Sequence, residues 1–146
     1  MTNSFRKILV ATDGSEGSLK AARTAISMAA QNRGELLAAH VVDDEIVKEF
    51  CRTINKEERE ARKTLSANAS KYIAEIERLA AQSSVPVRGI IEHGTPHEEI
   101  LKLAEKEAVD LVVMGKTGRR GARRVFAGSV TRRVIDLANI PVLVVK

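Results

Sequence analysis

The amino-acid sequence predicts a single doubly wound, Rossmann-like α/β domain spanning residues 1–146, with a five-stranded parallel sheet and four helices. Three observations carry this expectation. Five short apolar runs are continuous rather than alternating, the pattern of strands covered on both faces. Helical patterns lie between them, so strand and helix alternate along the chain. Each connection, finally, is long enough for the crossover that parallel pairing requires.

The first strand is predicted over Ile8 to Thr12, and the helix after it carries Leu19, Ala22, Ile26 and Ala29 on one face. The second strand, Leu36 to Val42, leads into a stretch from Asp43 to about Lys63 that is polar, mixed in charge and without a clean period. That stretch reads as a connecting excursion into a long second helix, striped by Leu65, Ala69, Tyr72, Ile76 and Leu79. After the third strand, Val87 to Ile91, Thr95, Pro96 and Glu98 spell a capping box with proline at the first helical position. The fourth strand is Leu111 to Met114. The fourth helix starts near Ser129, turns Val130, Val134, Leu137 and Ala138 inward, and stops before Pro141. Proline belongs at a strand start or on an edge, so Val142 to Val145 is predicted as an edge strand. Its unpaired backbone groups would be satisfied by the same strand of a second copy.

Composition narrows the function. Hydrophobic residues make up 44% and charged residues 29%, ordinary globular usage that excludes a disordered or fibrous chain. Aromatics are 3% with no Trp, which argues against surfaces that stack bases on exposed rings, so nucleic acid is not an expected partner. The single cysteine, Cys51, excludes an internal disulfide. No secretory leader precedes the first strand and no apolar run approaches 18 residues, so the expected compartment is cytoplasmic, with no membrane partner. The net charge of +5 is unevenly spread. Seven basic and no acidic residues lie between Gly115 and Ile135, leaving 17 basic against 19 acidic elsewhere. One cationic segment on a mildly acidic body points to a local anion.

Open α/β sheets bind ligands at the carboxyl ends of strands, where the strand order reverses. Two predicted strand ends are chemically loaded: Ala11-Thr12-Asp13-Gly14-Ser15, and Met114-Gly115-Lys116-Thr117-Gly118. The second continues into Gly115-x2-Gly118-x9-Gly128-Ser129. Glycines let backbone amides approach phosphate oxygens, and Gly128-Ser129 at a helix start offers free N–H groups, a hydroxyl and a favourable dipole. Two commoner phosphate motifs do not fit. A P-loop ending in Lys116-Thr117 would need glycine where Asp110 stands, and Gly14 and Gly17 fall short of a G-x-G-x-x-G fingerprint.

These residues resemble the universal stress proteins over the whole chain. The likeness rests on Ile8 to Ser15, on His93-Gly94-Thr95-Pro96, on the glycines ending Gly128-Ser129-Val130, and on Pro141 to Val145. It implies strand order 3-2-1-4-5, with the switch point between the first and fourth strands. Members with the complete glycine motif bind ATP, so the resemblance implies the ATP-binding subgroup, with ATP (or ADP or AMP) and Mg2+ held through the phosphates rather than by protein ligands. Carried over by position, Asp13 contacts the ribose and the backbone of Val41 reads the adenine edge. Gly115 and Gly118 line the ribose and phosphates, and Gly128, Ser129 and Val130 hold the terminal phosphates. With their neighbours, the candidate nucleotide-binding residues are Ala11, Thr12, Asp13, Val41, Met114, Gly115, Lys116, Gly118, Arg119, Arg124, Gly128, Ser129 and Val130. The resemblance also implies a homodimer through Val142, Leu143, Val144 and Val145, acting in a stress response by tuning an unidentified protein partner.

Other readings of these residues are structural. Asp13 could cap a turn, Ser129 could be an ordinary N-cap, and most of Lys116, Arg119, Arg120, Arg123 and Arg124 could be solvated. His40 reads as a buried strand residue, and Pro96 between His93 and His97 argues against a metal pair. No strong general base adjoins the phosphate loop, so no catalytic residue is expected and hydrolysis would be slow at most. The alternative function is a nucleotide-independent module that engages a protein or nucleic acid through the basic loop 116–124.

Overall fold

A computed structural model describes residues 4–117 and 128–146. Five parallel strands, β1 (Lys7–Ala11), β2 (Glu35–Asp43), β3 (Val87–Gly94), β4 (Leu111–Gly115) and β5 (Val142–Val145), form one sheet in the order β3-β2-β1-β4-β5. The helices are α1 (Glu16–Gln31), α2 (Asp44–Ile54), α3 (Glu58–Ala81), α4 (Pro96–Lys106) and α5 (Ser129–Leu137). Among the described residues no helix is long and apolar enough to cross a membrane.

Alternation along the strands splits the core into two layers. Ile8, Val10, Leu36, Ala38, Leu111 and Val113 face α1 and α3, where Ala22, Ala25, Ile73 and Ile76 are buried against them. Leu9, Leu37, Ala39, Val41, Val112 and Met114 face the other way, onto Ile100 and Leu103 of α4 and Val134 of α5. Burying both faces of β1, β2 and β4 explains their uninterrupted apolar sequences.

The helix count corrects the sequence expectation: the described residues form five helices, not four. The excursion after β2 is helical over Asp44–Ile54, capped by the Asp43 carboxylate accepting from the Glu45 N–H at 2.9 Å and closed by Asn55 in the left-handed conformation, φ 52°. Ile46, Val47, Phe50, Cys51 and Ile54 do follow a helical period, but five charged residues among the first nine positions obscure it. Only Val47 of this helix is fully buried, in a small third cluster with Val42 and Ala61, flanked by Phe50, Cys51, Leu65 and Ile91. Arg62 of α3 fastens the helix from outside by donating to Asp44 at 2.9 Å, and within α3 it also donates to Glu58 at 2.8 Å.

Three smaller expectations also change. Thr95 precedes α4 as predicted, with Pro96 at the first position, but its side chain makes no capping hydrogen bond. Leu137 points outward, 58% exposed, because α5 ends there and Ala138 already has extended backbone. The third strand runs on to Gly94, carried past its apolar run by pairing with β2 as far as Asp43.

At the amino ends of the strands Lys7 pairs with Glu35 and Glu107, and Arg88 pairs with Glu107. The Arg88 guanidinium holds the Glu107 carboxyl below the usual carboxylate range, with Lys7 adding to it.

Candidate functional site

At the carboxyl ends of β1 and β4 the chain turns to opposite faces of the sheet, and a cleft of about 700 Å³ opens there. That volume lies within the range of ordinary small-molecule sites.

One wall is the turn after β1. Gly14 adopts φ +79°, a left-handed conformation that favours glycine, and a Cβ there would collide with the Tyr72 ring. The turn is cross-braced by hydrogen bonds. Asp13 Oδ1 accepts from the Ser15 N–H at 3.0 Å, Thr12 Oγ1 accepts from the Gly14 N–H at 3.2 Å, and the Thr12 and Ser18 hydroxyls pair at 3.1 Å. Ser15, not Asp13, caps α1, accepting from the Ser18 N–H at 3.1 Å. Asp13 is half-buried on the cleft wall.

The opposite wall is built from β4 and the start of α5. Gly115 sits back to back with the first turn of α1: a Cβ on it would lie 2.8 Å from the Gly17 carbonyl oxygen. Its glycine is therefore required for close packing of α1 as well as for lining the cleft. The buried Thr131 hydroxyl donates to the Gly115 carbonyl at 3.0 Å, and the Gly128 N–H donates to the Lys116 carbonyl at 2.9 Å. The start of α5 is thereby tied to the end of β4. Gly128 is the N-cap of α5 and offers no side chain for a capping bond; Gly128, Ser129 and Val130 line the cleft, which places the positive dipole end of the helix there. The first hydrogen bond inside α5 runs from the Arg132 N–H to the Gly128 carbonyl.

Nine of the sequence-selected residues line this one cleft: Ala11, Thr12, Asp13, Val41, Met114, Gly115, Gly128, Ser129 and Val130. Lys116 is not part of the lining; its described bonds are backbone ones, from its N–H to the Val145 carbonyl and from the Gly128 N–H to its own carbonyl. Gly118, Arg119 and Arg124, with Arg120 and Arg123, lie outside the described residues.

The far end of the cleft was missed in the sequence. Glu45, Ile46 and Glu49 of α2, Leu65, Asn68 and Tyr72 of α3, and Pro96 and Ile100 of α4 also line it. Helical stripes gave Leu65 and Tyr72 as core residues, and nothing local distinguished them as cleft residues. His40, read as a buried strand residue, is instead half-buried in the lining: its Nδ1 lies 2.6 Å from the Thr12 carbonyl, and its ring meets Tyr72 edge to face at 5.6 Å. His93 lies 3.3 Å from Arg62, away from this lining. Among the described residues no group of three or more His, Cys, Asp and Glu side chains could hold a metal ion.

The sequence model of the universal stress protein family matches residues 4–146. Universal stress protein MJ0531 of Methanocaldococcus jannaschii is 37% identical over 145 residues, covering 99% of this chain and 84% of that protein. Universal stress protein MJ0577 of the same organism is 32% identical over 158 residues, covering 100% and 98%. The solved structure of MJ0577, described as a structure-based assignment of biochemical function, superposes with a TM-score of 0.86 over 98% of this chain and 96% of that one. A universal stress protein solved in complex with cAMP aligns with a TM-score of 0.72 at 23% identity, covering 97% of each chain, a likeness of fold.

Proposed function

The chain belongs to the universal stress protein family, and from that premise we propose that residues 1–146 form one nucleotide-binding domain of the ATP-binding subgroup. The observation that carries this reading is the meeting of Asp13, the Val41 backbone, Gly115 and the uncapped start of α5 around one cleft. A mononucleotide matches its two ends. The phosphates lie at Gly128, Ser129 and Val130, where free N–H groups and the helix dipole favour anions. The ribose lies against Asp13 and Gly115, and the base reaches Val41 between Met114 and Ile100. By sequence alone, Gly118, Arg119 and Arg124 belong to the phosphate end, and Lys116 contributes backbone rather than charge. A magnesium ion enters with the phosphates and supplies charge neutralisation only.

No described carboxylate or imidazole is tied to the start of α5, so the site binds and holds nucleotide, with slow hydrolysis at most. The signal passes to a protein partner from a cytoplasmic homodimer. In β5, Pro141 and Val145 aim their carbonyls at β4, which leaves the backbone groups of Val142 and Val144 on the open edge, available to a second copy.

The test is to denature freshly purified protein, identify released nucleotide by chromatography, and titrate the emptied protein with Mg-ATP by calorimetry. Micromolar binding that Gly128→Val abolishes is the expected result. No released nucleotide and no heat at millimolar Mg-ATP would overturn the reading, leaving the glycines as turns and the basic loop to serve a macromolecular partner.

A further inference from the structure

The cleft floor contains a break in the β-ladder. In the parallel pairing of β1 with β2, the Thr12 N–H donates to the Ala39 carbonyl at 2.9 Å. Regular continuation pairs Thr12 with His40, and the next rung would carry the Val41 N–H to the Thr12 carbonyl. Among the described residues that rung is not made. The Thr12 carbonyl is met instead by Nδ1 of His40 at 2.6 Å. A carbonyl can only accept, so Nδ1 carries the hydrogen.

The consequence falls on Val41. Backbone groups of Ala39 and Val41 both point to the β1 side of β2, and past Ala11 that side is the cleft. The Tyr72 ring holds the arrangement from above. It meets His40 edge to face, at an interplanar angle of 68°, and occupies the space over Gly14 that any Cβ would need. The rings from β2 and α3 thus fix the β1 turn, His40 through the Thr12 carbonyl and Tyr72 over Gly14.

We infer that His40 is a positioning residue: by taking the Thr12 carbonyl it withholds Val41's ladder partner and presents the Val41 peptide edge, N–H and C=O together, to a nucleobase. This rests on the nucleotide reading above and assigns the imidazole the task of building the base-recognising edge. The base it suits presents an acceptor beside a donor, as the edge of adenine does.

The test uses the full chain, wild type and the variants His40→Leu and His40→Asn. The Asn side-chain amide can place an N–H near the position of Nδ1–H, whereas Leu cannot. Amide hydrogen exchange is followed at Val41 in nucleotide-free protein, and affinities are measured for Mg-ATP and for inorganic tripolyphosphate, which has no base. In the wild type the Val41 amide exchanges faster than its strand neighbours. His40→Leu closes the rung and slows that exchange, and it weakens Mg-ATP by about 10- to 100-fold, the range expected for one or two lost hydrogen bonds. Tripolyphosphate affinity stays within about twofold, which also reports an intact fold, and His40→Asn recovers most of the Mg-ATP affinity. Unchanged Mg-ATP binding by His40→Leu, or equal loss in both variants, overturns the inference. If the wild type binds no Mg-ATP, the nucleotide reading falls separately, and Val41 exchange that is unaltered by His40→Leu overturns the inference by itself.

Discussion

Replacing Gly115 by alanine adds one carbon at the tightest contact between the sheet and α1. The new Cβ would lie 2.8 Å from the Gly17 carbonyl oxygen, 2.9 Å from the Gly17 carbonyl carbon and 3.2 Å from the Ser18 nitrogen. Ordinary contact begins near 3.4 Å, so the closest pair must separate by about 0.6 Å. All three atoms are backbone in the first turn of α1, and none can rotate aside. The helix must retreat as a body, straining the Thr12–Ser18 hydroxyl pair, now 3.1 Å apart, and the turn that carries Asp13. Overpacking of this kind costs about 1–3 kcal/mol. For a chain of 146 residues, a loss near 2 kcal/mol lowers the melting temperature by roughly 4–8 °C. The assay is thermal and urea unfolding followed by circular dichroism, with Lys116→Ala as the control because the described bonds of Lys116 are backbone ones. The urea midpoint should fall with an unchanged m-value. A Gly115→Ala protein that melts within about 1 °C of wild type would refute the reasoning, since α1 could then not pack on β4 as described.

Three further outcomes are expected. Val47→Ala removes the only fully buried side chain of α2 and should cost about 2 kcal/mol, with amides of residues 44–54 exchanging well before those of the sheet; uniform loss of protection would contradict the separate cluster. Val144→Pro removes an N–H from the open edge of β5 without touching the bonds to β4, so if the proposed β5-to-β5 dimer forms, analytical ultracentrifugation should find dimer for the wild type and monomer for the variant. Glu107 has a folded-state affinity for protons below its unfolded one, so its stabilisation is present above the ordinary carboxylate range, near pH 4, and is lost as pH falls through the lowered folded value. Glu107→Gln should therefore destabilise the protein at neutral pH and show a smaller further loss on acidification, as read from melting temperatures across that range.

Legibility of the sequence followed the range of each interaction. Strands β1, β2 and β4 were visible because both faces are buried, and the apolar runs Ile8 to Val10, Leu36 to Ala39 and Leu111 to Met114 record it directly. Helix α2 was not, because one buried valine among acidic and basic neighbours leaves little trace in composition. Nine candidate site residues meet at the cleft because strand ends and helix starts are set by local chemistry, and topology then brings those ends together. The wall from α2, α3 and α4 depends on how long helices lie across the sheet, which no local spacing encodes. Tyr72 illustrates the limit. Its place in the helical stripe marks a core residue, and only the fold reveals that its ring stands over Gly14 and against His40.

The small cluster beneath α2 also divides the molecule into parts that can change on separate terms. The side chains that α2 brings to the far end of the cleft, Glu45, Ile46 and Glu49, are held through Val47, Phe50 and Cys51 and through the bridge from Arg62 to Asp44, a cluster set apart from most of the two large core layers. Substitutions on this helix can reshape what the cleft admits at its far end while the β1 turn and the start of α5 keep their geometry. Changes at the other positions of Asp44–Ile54, with Val47 and the Asp44–Arg62 bridge kept, can therefore alter the ligand or the reading surface without disturbing the sheet.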